Sequence, residues 1–310
     1  MNGLLGRELV VLAGKGGVGR TTTAAAVGVV ASERGARTIV VEVGEQARVP
    51  ALLGARPAEL GETVRLTPSL AAMTIDPDRA LLRWLQKVGG RAAGRLLASS
   101  STFQYFAAAA PGARELVVMV AIWQLTAASP ERGEHFDLVV VDAPASGHAL
   151  AMLGSPATFG SIARVGPIAH HSEEVTRLLG DELRSGYLAV TLADEMAVTE
   201  TLELRDALAA KLGRDLDGVI VNQLLPRRFS DSELERAEAL RPRGATASAV
   251  RAAVRAARDV ETRARTQQSH LRRLRASGLD VVTVPFLWSE EVGREEVDAI
   301  AARLARRLAS

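Results

Sequence analysis

Short apolar runs of strand length punctuate the chain at Glu8 to Ala13, Thr38 to Val43, Phe136 to Asp142, Tyr187 to Leu192, Gly218 to Asn222 and Val281 to Phe286. They are rich in Val, Ile and Leu and do not alternate apolar with polar positions, as expected of parallel strands covered on both faces. Longer stretches with helical periodicity lie between them. Thr21 to Arg34 stops at Gly35 and Val198 to Leu212 stops at Gly213, each glycine supplying the left-handed residue that ends a helix. Strand, helix, strand in this order predicts an α/β protein with a doubly wound, mainly parallel sheet. A length of 310 residues suits one domain carrying an insertion. Two stretches break the rhythm. From about 51 to 132 the pattern is mostly helical, apart from a strand-like piece at Ala71 to Ile75, and reads as an inserted helical subdomain. Its apolar clusters are Leu81-Leu82, Trp84-Leu85, Phe103, Tyr105-Phe106 and Leu116 to Leu125. From about 231 to 276 a second, arginine-rich helical excursion precedes the last strand.

Composition narrows the chemistry. The chain has no cysteine, which excludes disulfides, iron–sulfur clusters and thiolate zinc sites and fits a reducing, cytoplasmic location. A net charge of +2 gives no support to nucleic-acid binding. No signal peptide is read, and no run approaches the roughly 20 apolar residues of a spanning helix, so no stable membrane insertion is expected.

The chemistry-bearing segment follows the first strand and opens the first helix: Gly14-Lys15-Gly16-Gly17-Val18-Gly19-Arg20-Thr21-Thr22. Backbone N–H groups of such a loop, with the helix N-terminus behind it, cradle phosphates. Thr21 stands where a hydroxyl usually binds Mg²⁺. Lys15 marks the deviant Walker A pattern K-G-G-x-G-K-[ST], whose first lysine reaches a phosphate across a dimer interface. The second lysine of that pattern is replaced by Arg20, a planar fork in place of a compact point charge. The run Leu138 to Asp142, an apolar strand ending in a carboxylate, has Walker B logic and makes Asp142 a second Mg²⁺ candidate. Ala143-Pro144-Ala145-Ser146-Gly147-His148 follows it. His148 is open to two readings, a switch residue sensing the γ-phosphate or a loop histidine satisfied by its neighbours.

Gly14 to Thr22 together with Asp142 to Leu150 resembles the ArsA family, which includes the arsenical-pump ATPase and the ATPase that targets tail-anchored membrane proteins. The family's switch II reads D-T-A-P-T-G-H-T-L, and this chain has D-A-P-A-S-G-H-A-L, with Asp142, Gly147 and His148 in the matching places. Pro111-Gly112 with Glu115-Leu116, Glu195 with Glu200-Thr201, and Val221 to Leu225 resemble further family segments in the same order. The resemblance implies that Asn222 reads adenine, that the backbone at Pro285 and Phe286 lies beside the base, and that the ligands are ATP and Mg²⁺. It also implies that Lys15 acts catalytically in trans within a dimer, either a homodimer or a heterodimer with an ArsA-like paralogue, working on an unknown client.

The departures matter equally. Gly44 falls where the family's switch I places an aspartate that positions the attacking water, with Glu45 and Glu42 as the neighbouring carboxylates. Glu42 ends an apolar strand and is read either as a substitute base or as the partner of a structural arginine. Asp194 replaces a family proline. Three functions follow: an ATP-hydrolysing dimeric switch, a hydrolysis-deficient regulatory subunit paired with an active paralogue, or a ParA/MinD-type positioning ATPase. Among lesser features, Glu115 to Leu125 reads as a buried helix rather than a client groove. Ser172 reads as a helix start that explains Glu173 and Glu174 without a metal at His170-His171. The last helix, with Val297, Ile300, Leu304 and Leu308 on one side, reads as docked on the sheet.

Overall fold

The computed structural model describes residues 1–310 apart from 2, 57, 89–111, 127–134, 164, 241–246 and 309–310. Phe103, Tyr105, Phe106 and Pro111 therefore lie outside the described residues. One eight-stranded sheet organises the chain, in the order β3-β4-β2-β5-β1-β6-β7-β8. Its strands are β1 (Leu9–Ala13), β2 (Thr38–Val43), β3 (Thr63–Arg65), β4 (Leu70–Ile75), β5 (Leu138–Asp142), β6 (Ser185–Leu192), β7 (Gly218–Leu224) and β8 (Val281–Pro285). All neighbours pair parallel except β3 with β4, which run antiparallel at the edge. The sheet is thus α/β, mainly parallel and wound in both directions from β1, as the apolar runs predict.

Central strands are apolar on both sides because both sides are covered. One layer holds α1 (Arg20–Glu33) and α10 (Arg294–Leu308), whose Ala24 to Val30 and Val297, Ile300, Leu304 pack with Val10, Leu12, Val140 and Val190. The other holds α4 (Ala113–Trp123), α5 (Ser146–Ile162), α6 (Pro167–Gly180) and α7 (Glu195–Leu212), packed with Leu9, Val11, Val139, Val141 and Tyr187. The helix α4 is buried from Leu116 to Val120 and again at Ile122 and Trp123, which places it in the core. The last helix docks on the sheet through its apolar side.

Within 51–132 the described elements are α2 (Val49–Leu52, reaching into this stretch), β3, β4, α3 (Pro77–Val88) and α4. In this stretch β4 pairs with β2 over six residue positions, so this strand belongs to the main sheet. The excursion at 231–276 comprises α8 (Asp231–Ala239) and the 30-residue α9 (Ala247–Ala276). One local expectation fails. Ser172 does not start a helix: α6 begins at Pro167, whose fixed φ suits a first helical position, and Ser172 is buried inside it.

Candidate nucleotide site

β1 sits between β5 and β6, so their C-terminal ends meet where the strand order reverses, the crevice in which open α/β sheets bind ligands. The phosphate loop leaves β1 there and α1 starts at its far end. Two contacts fix the loop against the sheet. Gly14 lies so close to β6 that a Cβ would stand 2.1 Å from the Val190 carbonyl oxygen. Gly19 has φ +84° and a Cβ there would stand 2.3 Å from Asn222 Nδ2. The buried Asn222 amide donates to the Val18 carbonyl at 2.9 Å, joining the end of β7 to the loop. Val18 itself is buried, whereas Lys15 is half-buried and Gly16 and Gly17 are exposed.

The loop's first helical residues meet the end of β5. Thr21 Oγ1 donates to Asp142 Oδ2 at 2.5 Å, so the hydroxyl and carboxylate singled out in the sequence are brought together. Arg20 reaches the same group from the other side. Its Nε donates to Asp142 Oδ1 at 2.6 Å and its Nη1 donates to the Gly14 carbonyl at 2.9 Å. Both side chains are largely buried, at 16% and 6% exposure, so the ion pair is shielded from water and salt. Thr22 follows inside α1.

That geometry tests the divalent cation that the family resemblance implies. A Mg²⁺ at Thr21 and Asp142 needs an open, anionic oxygen set. Here both Asp142 oxygens are engaged, and the guanidinium cancels the carboxylate's charge where the cation would sit. The residues present do not fit a resident divalent ion at this position.

Lys15 points back along its own chain. Its Nζ pairs with Glu200 Oε1 of α7 at 2.8 Å, with about a third of each side chain exposed. Pairs of this exposure are worth roughly 0.2–1 kcal/mol. Glu200 belongs to one of the family-like segments, and no residue pattern pointed to its pairing with Lys15. Asp194, in place of the family's proline, caps α7 by accepting from the Ala197 N–H at 2.8 Å.

Around the switch segments, Gly44, Glu45, Pro144 and His148 line a cleft of about 300 Å³ together with Asp76 and Arg114. His148 is exposed at its rim. Glu42 stands apart from this cleft. Its carboxylate accepts from the backbone N–H groups of Arg48 and Val49 at 2.9 and 2.8 Å, holding the start of α2. It pairs with Arg48 through the backbone and not the guanidinium, so the reading of Glu42 as partner of a structural arginine side chain does not hold as written. Burial is the main cause that pushes its pKa from 4.5 up to about 7, opposed by those N–H groups and assisted by the nearby Asp142 charge.

A second cleft, of about 530 Å³, opens beside the end of β7 and is lined by Gln223, Leu225, Arg263, Gln267, Phe286 and Trp288, among others. Pro285 ends β8 opposite Leu224, and the Phe286 N–H donates to the Leu224 carbonyl at 3.0 Å, which carries the Phe286 ring to this wall. Trp288 meets Phe286 edge-on at 4.9 Å, and the Arg228 guanidinium lies 5.6 Å from the Trp288 ring centre. Gln267 holds the turn by accepting from Leu225 N–H and donating to the Gln223 carbonyl. Trp288 is not singled out by the sequence, and Gln223 only as one position of the family-like segment Val221 to Leu225. A tryptophan near the last strand was the available signal, but only the fold puts it beside β7. Asn222 lies behind this wall, with its amide nitrogen committed to the phosphate loop. Among the described residues no cluster of three or more His, Asp or Glu side chains has metal-binding geometry, and no helix is long and apolar enough to cross a membrane.

Comparison with known proteins agrees with the loop and the sheet. A family model described as anion-transporting ATPase, ArsA ATPase, matches residues 7–166, which is more than half of the chain. ATPase BagA of Mycobacterium tuberculosis is 28% identical over 240 residues, covering 76% of this chain and 70% of that protein. A Halobacterium salinarum protein, provisionally named an arsenical pump-driving ATPase, is 25% identical over 237 residues, covering 71% of this chain and 36% of that one. With the phosphate loop at the switch point of a mainly parallel sheet, and Thr21 joined to Asp142, these matches settle the family: the chain belongs to the ArsA family of anion-transporting ATPases.

Proposed function

We propose that this chain is an ATP-binding conformational switch that closes as a dimer with a second ArsA-like chain and hydrolyses ATP slowly. The loop from Gly14 to Thr22, braced by Asn222, receives the phosphates, and the cleft between Gln223, Phe286 and Trp288 receives the base. Lys15 acts across the dimer. The pair it forms with Glu200 is weak enough for a partner's phosphate to displace, and releasing it frees the lysine for that role. His148 and the Gly44–Glu45 turn, which share one cleft, report the occupancy of the site by moving the helices attached to them.

The slow rate rests on the shielded Arg20–Asp142 pair, together with a glycine, Gly44, at the switch I position. Glu42 is occupied with α2 and Gly44 has no side chain, which leaves Glu45, on the wall of the switch cleft, as the neighbouring carboxylate able to align water. Loss of a positioned base costs about 10²–10⁴-fold in rate. Arg20 closes the carboxylate that would hold a divalent cation. The same pair favours a second reading, in which the chain is the hydrolysis-deficient member of a heterodimer with an active paralogue.

Phosphate release by the purified chain separates the two. Turnover that disappears in Lys15→Ala supports the self-sufficient switch. Release indistinguishable from that variant, restored only on mixing with an active ArsA-like chain, supports the second reading. The ParA/MinD-type alternative gains no supporting observation here; ATP-dependent co-sedimentation with DNA or anionic liposomes would revive it.

A further inference from the structure

We infer that Arg20 takes over the charge role of the divalent cation, so that this chain binds ATP without needing Mg²⁺. The inference rests on the nucleotide-binding reading of the loop. Arg20 is tied to the two ends of the site at once, by Nε to Asp142 at the end of β5 and by Nη1 to the Gly14 carbonyl at the start of the loop. These two bonds leave Nη2 uncommitted among the described residues, on a group anchored between the end of β5 and the start of the loop. A guanidinium fixed in this way offers phosphate oxygens a planar, permanently charged donor. It also cancels the carboxylate that would attract a cation. Thr21, whose hydroxyl would complete the metal's ligand set, instead donates to the remaining Asp142 oxygen.

Electrostatics then decides the preference. Bringing Mg²⁺ to Asp142 requires breaking a 2.6 Å ion pair at a largely buried site, or placing a dication beside a guanidinium. Binding the nucleotide through Arg20 requires neither. Lysine at the same position is a compact charge on a flexible stem, which can leave the carboxylate to the metal and follow the phosphates. Arg20 thus sets the form of nucleotide the site takes: the bare, fully charged triphosphate in preference to its magnesium complex.

Calorimetric titration of the full chain with ATP, in magnesium buffer and in EDTA, tests this on wild type and Arg20→Lys. The expected result is wild-type affinity in EDTA equal to that in magnesium within about threefold, or tighter. Arg20→Lys is expected to lose about tenfold or more in EDTA. Wild-type affinity that falls about tenfold in EDTA overturns the inference and leaves nucleotide binding standing. Binding by Arg20→Lys but not by wild type also overturns it, showing that the arginine blocks the loop. Absence of binding by both proteins in both buffers overturns the nucleotide reading itself. If the variant fails to fold, the wild-type pair of titrations still decides.

Discussion

Gly19 and Asn222 illustrate how single residues fix the phosphate loop. Gly19 combines a left-handed backbone with a contact that leaves no room for a Cβ, because the Asn222 amide is already bound to Val18. Gly19→Ala is expected to cost about 1–3 kcal/mol, as left-handed strain and a displaced amide combine. Thermal unfolding measures it, and loss of ATP binding beyond the loss of stability would mark the loop itself as deformed. Glu42 carries a pH effect. Its carboxyl holds a proton more tightly in the folded chain, with the pKa raised from 4.5 to about 7. Its contribution is complete below pH 4.5 and is lost as pH rises through 7. Denaturant unfolding at pH 5 and pH 8 should therefore show wild type losing up to about 3 kcal/mol more across that interval than Glu42→Gln. An equal loss in the two proteins would assign the pH dependence elsewhere. The sequence displayed Arg20 and Gly44 as departures from a family pattern. It did not display that Arg20 would lock onto Asp142, because the partners are 122 positions apart and meet only through the sheet.

At the scale of elements, the sequence was most legible where one signal dominated. Helix α1 was readable from its glycine loop and Gly35, and the central strands from unbroken Val and Ile runs. The edge strand β3 was not, because three residues, Thr63–Arg65, carry no periodicity and owe their strand geometry to antiparallel pairing with β4. Ser172 misled for a related reason. Capping residues are common, and Pro167 five positions earlier was the stronger start signal. Asp194 is a departure from the family proline whose local consequence is clear, since it caps the helix that carries Glu200. Asp194→Ala should cost about 0.5–2 kcal/mol in denaturant unfolding. Asp194→Asn, which retains an acceptor, should recover most of it, and failure of the rescue would mean that charge and not capping is what α7 needs.

For the whole molecule, the dimer reading makes the sharpest demand. If Lys15 is held in reserve by Glu200, then Glu200→Gln should shift the chain toward dimer at lower ATP concentration, and Lys15→Ala should shift it away. Sedimentation velocity with ATP and with ADP reads both. No ATP-dependent change in mass in any of the three proteins would remove the homodimer and leave the heterodimer as the form to seek. The clefts belong to this scale too, since each draws its walls from segments far apart in the chain: residues 43–45, 76–78, 114–118 and 144–152 in one, and 192–194, 223–225, 260–267 and 286–288 in the other.

The sequence by itself determined the phosphate loop, the parallel sheet and the family, because a glycine loop, buried strands and helix ends are written in runs of adjacent residues. Tertiary structure alone decided what the unusual residues do. It gave Arg20 to Asp142, Lys15 to Glu200, Asn222 to the loop and Glu42 to a helix start. Each of those is a charge or a donor that must find its counterpart once water is removed, and which counterpart is near depends on the order in which strands lie side by side, not on their order along the chain.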